Sequence, residues 1–311
     1  MACLFCGSPG PLTDEHALPR WARKAIGATA AAELHRMPRG QRLISKPTGR
    51  PMQTFTGMTV VARKVLCKSC NSGWLAGLEK DVGRLLAPAM RGDPIKLSSD
   101  QQRLIAFWAT KTSLLIEVAY HQWRADGVMP ASHLRWLYEH RADRQPPPGT
   151  VVWLASLNPW LGDDFVPTWC SSGTLRSRDP GGDPDRTNDS YVATFSVGCL
   201  VFQVIGQDFR ESDHHTPTGL PFVIVIPPRK LTPYLLQIWP KLYPVASWPP
   251  NYLVLAEGWP EFADWYGTLT WFHRNDTVTG EITGVFMAER RGDLPPLGNP
   301  PPRPHRAPPG S

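Results

Sequence analysis

Four of the six cysteines occur as two C-x2-C pairs, a spacing that is typical of metal sites. Cys3 and Cys6 lie in "CLFCG", and Cys67 and Cys70 lie in "LCKSC", about sixty residues further along the chain. Four thiolates can hold zinc in a tetrahedral site with no open position, so such an ion stabilises the fold without activating water. We therefore predict a structural zinc ion bound by these four cysteines. The alternative is four reduced thiols without a metal.

A second group of residues could carry out acid–base chemistry. Asp14, Glu15 and His16 are consecutive in "TDEHALP". A carboxylate can hold a hard cation, and an imidazole can take a proton from water near neutral pH. The three residues alone leave a second interpretation open, in which His16 is an ordinary surface histidine.

The order C-x2-C, Glu-His-x-x-Pro, C-x2-C-Asn resembles the zinc-containing HNH endonucleases of the ββα-metal (His-Me finger) class over about residues 1–80. The resemblance implies that His16 is the general base that activates water. It also implies that Glu15 and Asn71 hold a catalytic divalent cation, Mg²⁺ or Mn²⁺, which offsets charge on the scissile phosphate and leaving oxygen. The implied activity is hydrolysis of phosphodiester bonds in double-stranded DNA.

The sequence departs from the family's usual pattern at three places. Glu15 stands where the family usually has Asp, and the lysine often found after the last metal ligand is absent. Glu79, eight positions beyond Asn71, is an extra cation ligand, an outer partner of the general base, or a solvated helix charge. The family's middle Asn or His has no obvious counterpart, although His35 and Gln53 are candidates. The alternative function is accordingly a catalytically inactive zinc protein that binds nucleic acid or another partner.

The positive charge of the chain is concentrated in its first part. Residues 1–92 contain 14 Lys and Arg against 5 Asp and Glu, whereas the remainder contains 19 against 22. A basic surface attracts polyanions and supplies contacts to phosphates. The charge is therefore consistent with a nucleic-acid partner, and a merely solvated basic surface is the other interpretation.

The elements that position these residues indicate an α+β fold. We expect residues 1–92 to form one small zinc-stapled module, with an amphipathic helix beginning just after the last cysteine. The family resemblance implies a ββα-metal, treble-clef-like fold for this module. Residues 93–148 form a helical connecting region, whose long helix has Ser98 or Ser99 as its N-cap. Residues 149–293 form a mainly antiparallel β region that packs with the helices, because β-branched and aromatic runs alternate there with turn-rich segments. Residues 294–311 hold 8 prolines and are expected to be a disordered tail.

The composition excludes other broad classes of protein. A hydrophobic content of 41% supports a packed core. No run approaches the roughly 18 apolar residues of a membrane helix, and no secretory signal is evident. We therefore expect a soluble, cytoplasmic protein with no membrane partner, whose oligomeric state the sequence leaves open.

Overall fold

The structure is a computed structural model that describes residues 2–26, 55–56, 61–121, 131–156, 168–178, 187–207 and 235–250. Helices and antiparallel strands are mixed along the chain, which confirms the α+β class. The helices are α1 (Arg20–Ile26), α2 (Ala76–Met90), α3 (Ser99–His121) and α4 (Ala131–Glu139). The strands are β1 (Leu12–His16), β2 (Phe55–Thr56), β3 (Val61–Cys67), β4 (Ile95–Ser98), β5 (Thr150–Ser156), β6 (Thr168–Arg178), β7 (Thr187–Val197), β8 (Leu200–Gln207), β9 (Leu236–Trp239) and β10 (Val245–Trp248).

β1 and β3 form a two-stranded antiparallel sheet that carries the Glu-His pair and leads to the second cysteine pair. Leu12 lies opposite Cys67, and the register shifts after Thr13, where β3 has extra residues relative to β1. Lys64 in this bulge has a φ of 50°, and its backbone N–H donates to Oδ1 of Asp14 at 2.8 Å. The carboxylate therefore accepts a backbone N–H at the point where the bulge interrupts the ladder.

The chain becomes helical directly after the second cysteine pair. Cys70–Leu75 form a π-helical segment that continues into α2, with non-helical geometry at Gly73 (φ −94°, ψ −108°). Apolar residues of α2 recur every three or four positions and face the core: Leu78, Val82, Leu86, Ala89 and Met90. Gly92, with a φ of 88°, follows the end of the helix. This arrangement confirms the amphipathic helix predicted to begin at the cysteine pair.

The longest helix, α3, lies in the centre of the described structure. Its N-terminus is a capping box, in which Gln101 N–H donates to Ser98 Oγ at 3.3 Å and Ser98 N–H donates to Gln101 Oε1 at 2.9 Å. Ser98 is therefore the cap, one of the two residues predicted. Every side chain from residue 105 to residue 119 is buried. Thr110 and Ser113 donate to carbonyl oxygens one turn earlier, which satisfies two of the polar groups in this buried helix.

Six of the described strands form the larger antiparallel sheet, in the order β2-β6-β7-β8-β5-β9. β7 and β8 form a tight hairpin with Gly198 at a φ of 57°. The sheet packs on α3, where the ring of Trp108 lies 5.9 Å from that of Phe195 and 5.4 Å from that of Phe202. The described strands thus agree with the predicted antiparallel β region.

Strands of the first and second predicted regions pair with strands of the third, and the three regions share one hydrophobic core. β2, from the first region, pairs with β6 of the large sheet, and β4, from the second, pairs with β10. One continuous hydrophobic cluster extends from Phe5 to Trp248. The described parts of residues 1–92, 93–148 and 149–293 therefore stabilise one another. The predicted tail, 294–311, lies outside the described residues.

Candidate metal centre

The first cysteine pair forms a tight turn that is bonded to β3. Gly7 N–H donates to the carbonyl oxygen of Cys3 at 2.9 Å, and the φ of Gly7 is 72°, a conformation that strains residues with a side chain. Leu4 N–H donates to the carbonyl oxygen of Val65 at 3.0 Å. Phe5, between the two cysteines, is fully buried. Backbone hydrogen bonds and a core side chain therefore hold the first pair beside the second.

The second cysteine pair lies where β3 ends and the π-helical segment begins. The Sγ atoms of Cys3, Cys6, Cys67 and Cys70 all lie within 4.8 Å of one another, and those of Cys6 and Cys67 are 3.6 Å apart. Sulfurs at about 2.3 Å from a tetrahedral zinc ion are about 3.8 Å from one another. The four cysteines therefore fit, and could hold, a metal ion such as zinc. In the described part of the chain they are the one such cluster of His, Cys, Asp and Glu side chains.

Hydrogen bonding lowers the pKa of one thiol of the second pair, whereas burial raises the pKa of the other. The Ser69 hydroxyl lies 3.1 Å from Sγ of Cys67, and this hydrogen bond lowers the pKa of Cys67 to about 6. Burial raises the pKa of Cys70 well above its usual range. Metal ligands must be thiolates, so a bound cation has to displace the proton of Cys70. Metal affinity should accordingly fall as the pH falls.

Asn71, which follows the last cysteine, is hydrogen-bonded to β1. Its Nδ2 donates to Oγ1 of Thr13 at 2.9 Å and to the carbonyl oxygen of Asp14 at 3.1 Å. Thr13 Oγ1 in turn donates to the carbonyl oxygen of Leu66 at 2.9 Å. These bonds fix Asn71 to the strand that carries the Glu-His pair.

Glu15 and His16 are the last two residues of β1, and both are partly exposed. Glu15 lies opposite Ala62 of β3 and His16 lies opposite Val61, beyond the irregularity that follows Thr13. His16 ends the strand, and the buried residues 17–19 lead from it into α1.

Glu79 lies in the first turn of α2 and accepts hydrogen bonds from three nitrogen donors. Trp21 Nε1 of α1 donates to Oε2 at 2.6 Å, and Trp108 Nε1 of α3 donates to Oε1 at 3.0 Å. The ammonium group of Lys111 forms an ion pair with Oε1. The Glu79 side chain is 14% exposed and that of Lys111 is fully buried. Glu79 is therefore not a solvated helix charge but joins α1, α2 and α3, and a cation bound there would have to displace the ammonium group.

Sequence reasoning missed the partners of Glu79. Lys111 lies between two apolar runs of α3, residues 104–109 and 114–116, and a lysine in such a position signals a buried cation that needs an anion. The local pattern does not say which anion, because the partner lies on another helix. His35 and Gln53, the candidates for the family's middle residue, lie outside the described residues.

Exposed cations lie close to the cysteines and to β1. Arg63 and Lys64 occupy the bulge of β3, and Lys68 lies between the two cysteines of the second pair; all three are exposed. Asp14 is the acidic residue bonded to this bulge. These three exposed cations are suited to contacts with phosphates.

Comparisons of this chain with protein-family models, with curated proteins and with solved structures found no match. Among the described helices, none combines the length and the apolar character needed to cross a membrane.

Proposed function

We propose that this protein is an HNH-type endonuclease that hydrolyses DNA phosphodiester bonds with a divalent cation. The observation that carries the proposal is the pair of hydrogen bonds from Asn71 to β1. They connect the residue after the last cysteine to the two residues that precede Glu15, beside four clustered sulfur atoms. This agrees with the order of motifs that the family resemblance implies.

In this proposal the four cysteines hold a structural zinc ion. Four thiolates complete the coordination of zinc, so this ion positions the module and does not activate water. β1, β3 and the helix that begins at Cys70 surround the cysteines, as expected for a treble-clef-like ββα-metal module.

Glu15 and Asn71 supply oxygen ligands for a second cation, Mg²⁺ or Mn²⁺. Carboxylate and amide oxygens are the hard ligands that these ions prefer. Such a cation, when bound, offsets negative charge on the scissile phosphate and on the leaving oxygen. Thr13 and Asp14 hold the amide nitrogen of Asn71, so the amide oxygen has a fixed direction for this role.

His16 is the general base. Its neutral imidazole takes a proton from water while the water oxygen forms a bond to phosphorus. The bond from phosphorus to the leaving sugar oxygen breaks, and that oxygen takes a proton from solvent. The imidazolium then returns its proton to solvent. Because only neutral imidazole accepts a proton, cleavage should decline as the medium becomes acidic.

Double-stranded DNA is the proposed substrate because the exposed cations of β3, together with Lys68, lie next to the candidate site. Arg63, Lys64 and Lys68 would contact the phosphate backbone, which requires no particular base sequence. Each neutralised phosphate releases counterions, so binding should weaken steeply with added salt.

The test is cleavage of supercoiled plasmid DNA with Mg²⁺ or Mn²⁺, compared with the same reaction in the presence of EDTA. His16→Ala should abolish cleavage while zinc content stays at that of the wild type. The matched control is His140→Ala, because the His140 ring stacks on Trp136 at 3.8 Å and is outside the proposed catalytic set.

Cleavage by His16→Ala at the wild-type rate would exclude His16 from the mechanism. A different result would be salt-dependent DNA binding by the wild-type protein without cleavage, whichever divalent cation is added. The protein would then be a catalytically inactive nucleic-acid-binding protein. Failure to bind DNA at low salt would leave only a structural or partner-binding role for the cysteine module.

A further inference from the structure

Lys64 lies in the middle of the β3 bulge, in a backbone conformation that lysine rarely adopts. From Thr13 to Glu15, β1 advances by two residues, whereas the opposite segment of β3, from Leu66 to Ala62, advances by four. The φ of Lys64 is 50°, in the left-handed region that costs free energy for a residue with a Cβ atom. Strain of this kind persists only where surrounding contacts hold the conformation, and it concentrates at functional sites.

Asp14 supplies a contact that holds this conformation. Its Oδ1 accepts the backbone N–H of Lys64 at 2.8 Å. Its carbonyl oxygen accepts a hydrogen bond from Nδ2 of Asn71 at 3.1 Å. Asp14 therefore joins the bulge of β3 to the residue that follows the last cysteine.

The negative charge of Asp14 lies in a basic surface. Asp14 is exposed, as are Arg63 and Lys64 of the bulge. A carboxylate beside cations lowers the local positive potential and repels a polyanion. Charge alone would therefore favour a neutral residue at position 14 in a surface that binds nucleic acid, whereas the hydrogen bond to Lys64 gives the carboxylate a structural role there.

We propose that Asp14 is a positioning residue for DNA binding, which holds the bulge so that the ammonium group of Lys64 contacts a backbone phosphate. The proposal rests on the DNA partner of the proposed function and does not depend on cleavage. Phosphate contacts fix the register of a protein on the duplex without reading its sequence. The bulge directly follows the β3 residues that pair with Glu15 and His16, so a phosphate held there places the DNA backbone beside the proposed catalytic residues.

The first test measures binding of a fluorescent DNA duplex by anisotropy over a range of salt concentrations, without added divalent cation so that cleavage does not contribute. Lys64→Asn removes the charge, and asparagine tolerates a positive φ. The slope of log affinity against log salt should become shallower by about 0.9, so the ratio of wild-type to variant affinity should rise about eightfold for a tenfold decrease in salt. The matched control is Lys96→Asn, which replaces an exposed lysine of β4 in a different two-stranded sheet and should keep the wild-type slope. A wild-type slope in Lys64→Asn would overturn the proposal.

Two substitutions of Asp14 separate its hydrogen bond from its charge. Asp14→Ala removes both, and a role through charge alone predicts tighter DNA binding. We expect weaker binding instead, with the shallower slope of Lys64→Asn. Asp14→Asn removes the charge but keeps an Oδ1 acceptor, so it should bind at least as tightly as the wild type. Adding Lys64→Asn to Asp14→Ala should cause little further loss, because the phosphate contact is already absent. Tighter binding by Asp14→Ala, or additive losses in the double variant, would refute the positioning role.

Amide hydrogen exchange shows whether Asp14→Ala acts locally. The Lys64 amide should be protected in the wild type and in Asp14→Asn but exchange rapidly in Asp14→Ala. The Leu4 amide, which donates to the carbonyl oxygen of Val65 at 3.0 Å, should stay protected in all three. An unprotected Lys64 amide in the wild type would overturn the proposal whatever the variants do.

The outcomes distinguish this proposal from the nuclease function. DNA binding with the expected slopes but without cleavage would reject the catalytic function and support the role of Asp14 and Lys64. Cleavage by the wild type together with an unchanged slope in Lys64→Asn would reject the role of Lys64 alone. Failure of the wild type to bind DNA at low salt would reject both.

Discussion

Replacing Glu79 should destabilise the protein more than replacing its partner Lys111, although the two side chains form one ion pair. In Glu79→Gln, the fully buried ammonium group of Lys111 loses its anionic partner. In Lys111→Met, Glu79 keeps hydrogen bonds from Trp21 and Trp108 and is 14% exposed to water. The uncompensated charge is thus far better solvated in the second variant.

The expected magnitudes follow from these contacts. Removing one partner of a buried pair costs about 3–5 kcal/mol when the remaining charge is enclosed, which we expect for Glu79→Gln. Lys111→Met leaves a carboxylate with two donors, so we expect about 1–3 kcal/mol. The double variant removes both charges and should cost less than the sum of the single changes.

The assay is urea unfolding followed by circular dichroism, with zinc in excess so that metal loss does not contribute. Glu79→Gln should lower the midpoint by about 1–2 M more than a neutral surface substitution does. Equal losses in the two single variants would refute the reasoning from unequal solvation. Strictly additive losses in the double variant would show that the ion pair itself contributes nothing.

Three further predictions concern other parts of the chain. Gly206→Ala should destabilise the protein by about 1–3 kcal/mol in thermal unfolding, because its Cβ would lie 2.2 Å from the Tyr191 ring; Gly77→Ala, with nothing within 4 Å, should not. Asn71→Asp keeps an oxygen ligand but loses both N–H donors, so zinc content should persist while DNA cleavage falls at least about tenfold, and unchanged cleavage would show that the bonds to β1 are dispensable. The Cys199 thiol, whose pKa burial raises to about 12, should resist iodoacetamide at mildly alkaline pH until the protein is unfolded, as peptide mass mapping would show.

The features that the sequence predicted are those with a local signal. Two C-x2-C pairs identify the four clustered sulfurs, and the spacing of apolar residues identifies α2. Ser98 and Gln101, three positions apart, are enough to mark the start of α3. β5, β7 and β8 are runs of β-branched and aromatic residues, which are typical of buried strands.

The features that the sequence did not reveal depend on distant partners. β9 and β10 lie in "LQIW" and "VASW", within a proline-rich stretch that favours turns, and they pair with β5 and β4. The role of Glu79 also depends on distant partners. Its spacing from Asn71 allowed three interpretations, and only the tertiary structure shows the donors on α1 and α3. In each case the deciding contact joins residues that no local window contains.

The hydrogen bonds and the ion pair of Glu79 also bear on how a loss of DNA cleavage should be interpreted. α1 follows His16, α2 follows Asn71, and the hydrogen bond from Trp21 to Glu79 holds these two helices together. Because α1 follows the proposed general base and α2 follows a proposed cation ligand, loosening these helices would misplace the base relative to that ligand. Reduced cleavage in Glu79→Gln would therefore not by itself make Glu79 a ligand. A positioning role predicts a lower maximal rate at an unchanged Mg²⁺ requirement, whereas a ligand role predicts that higher Mg²⁺ concentrations restore cleavage.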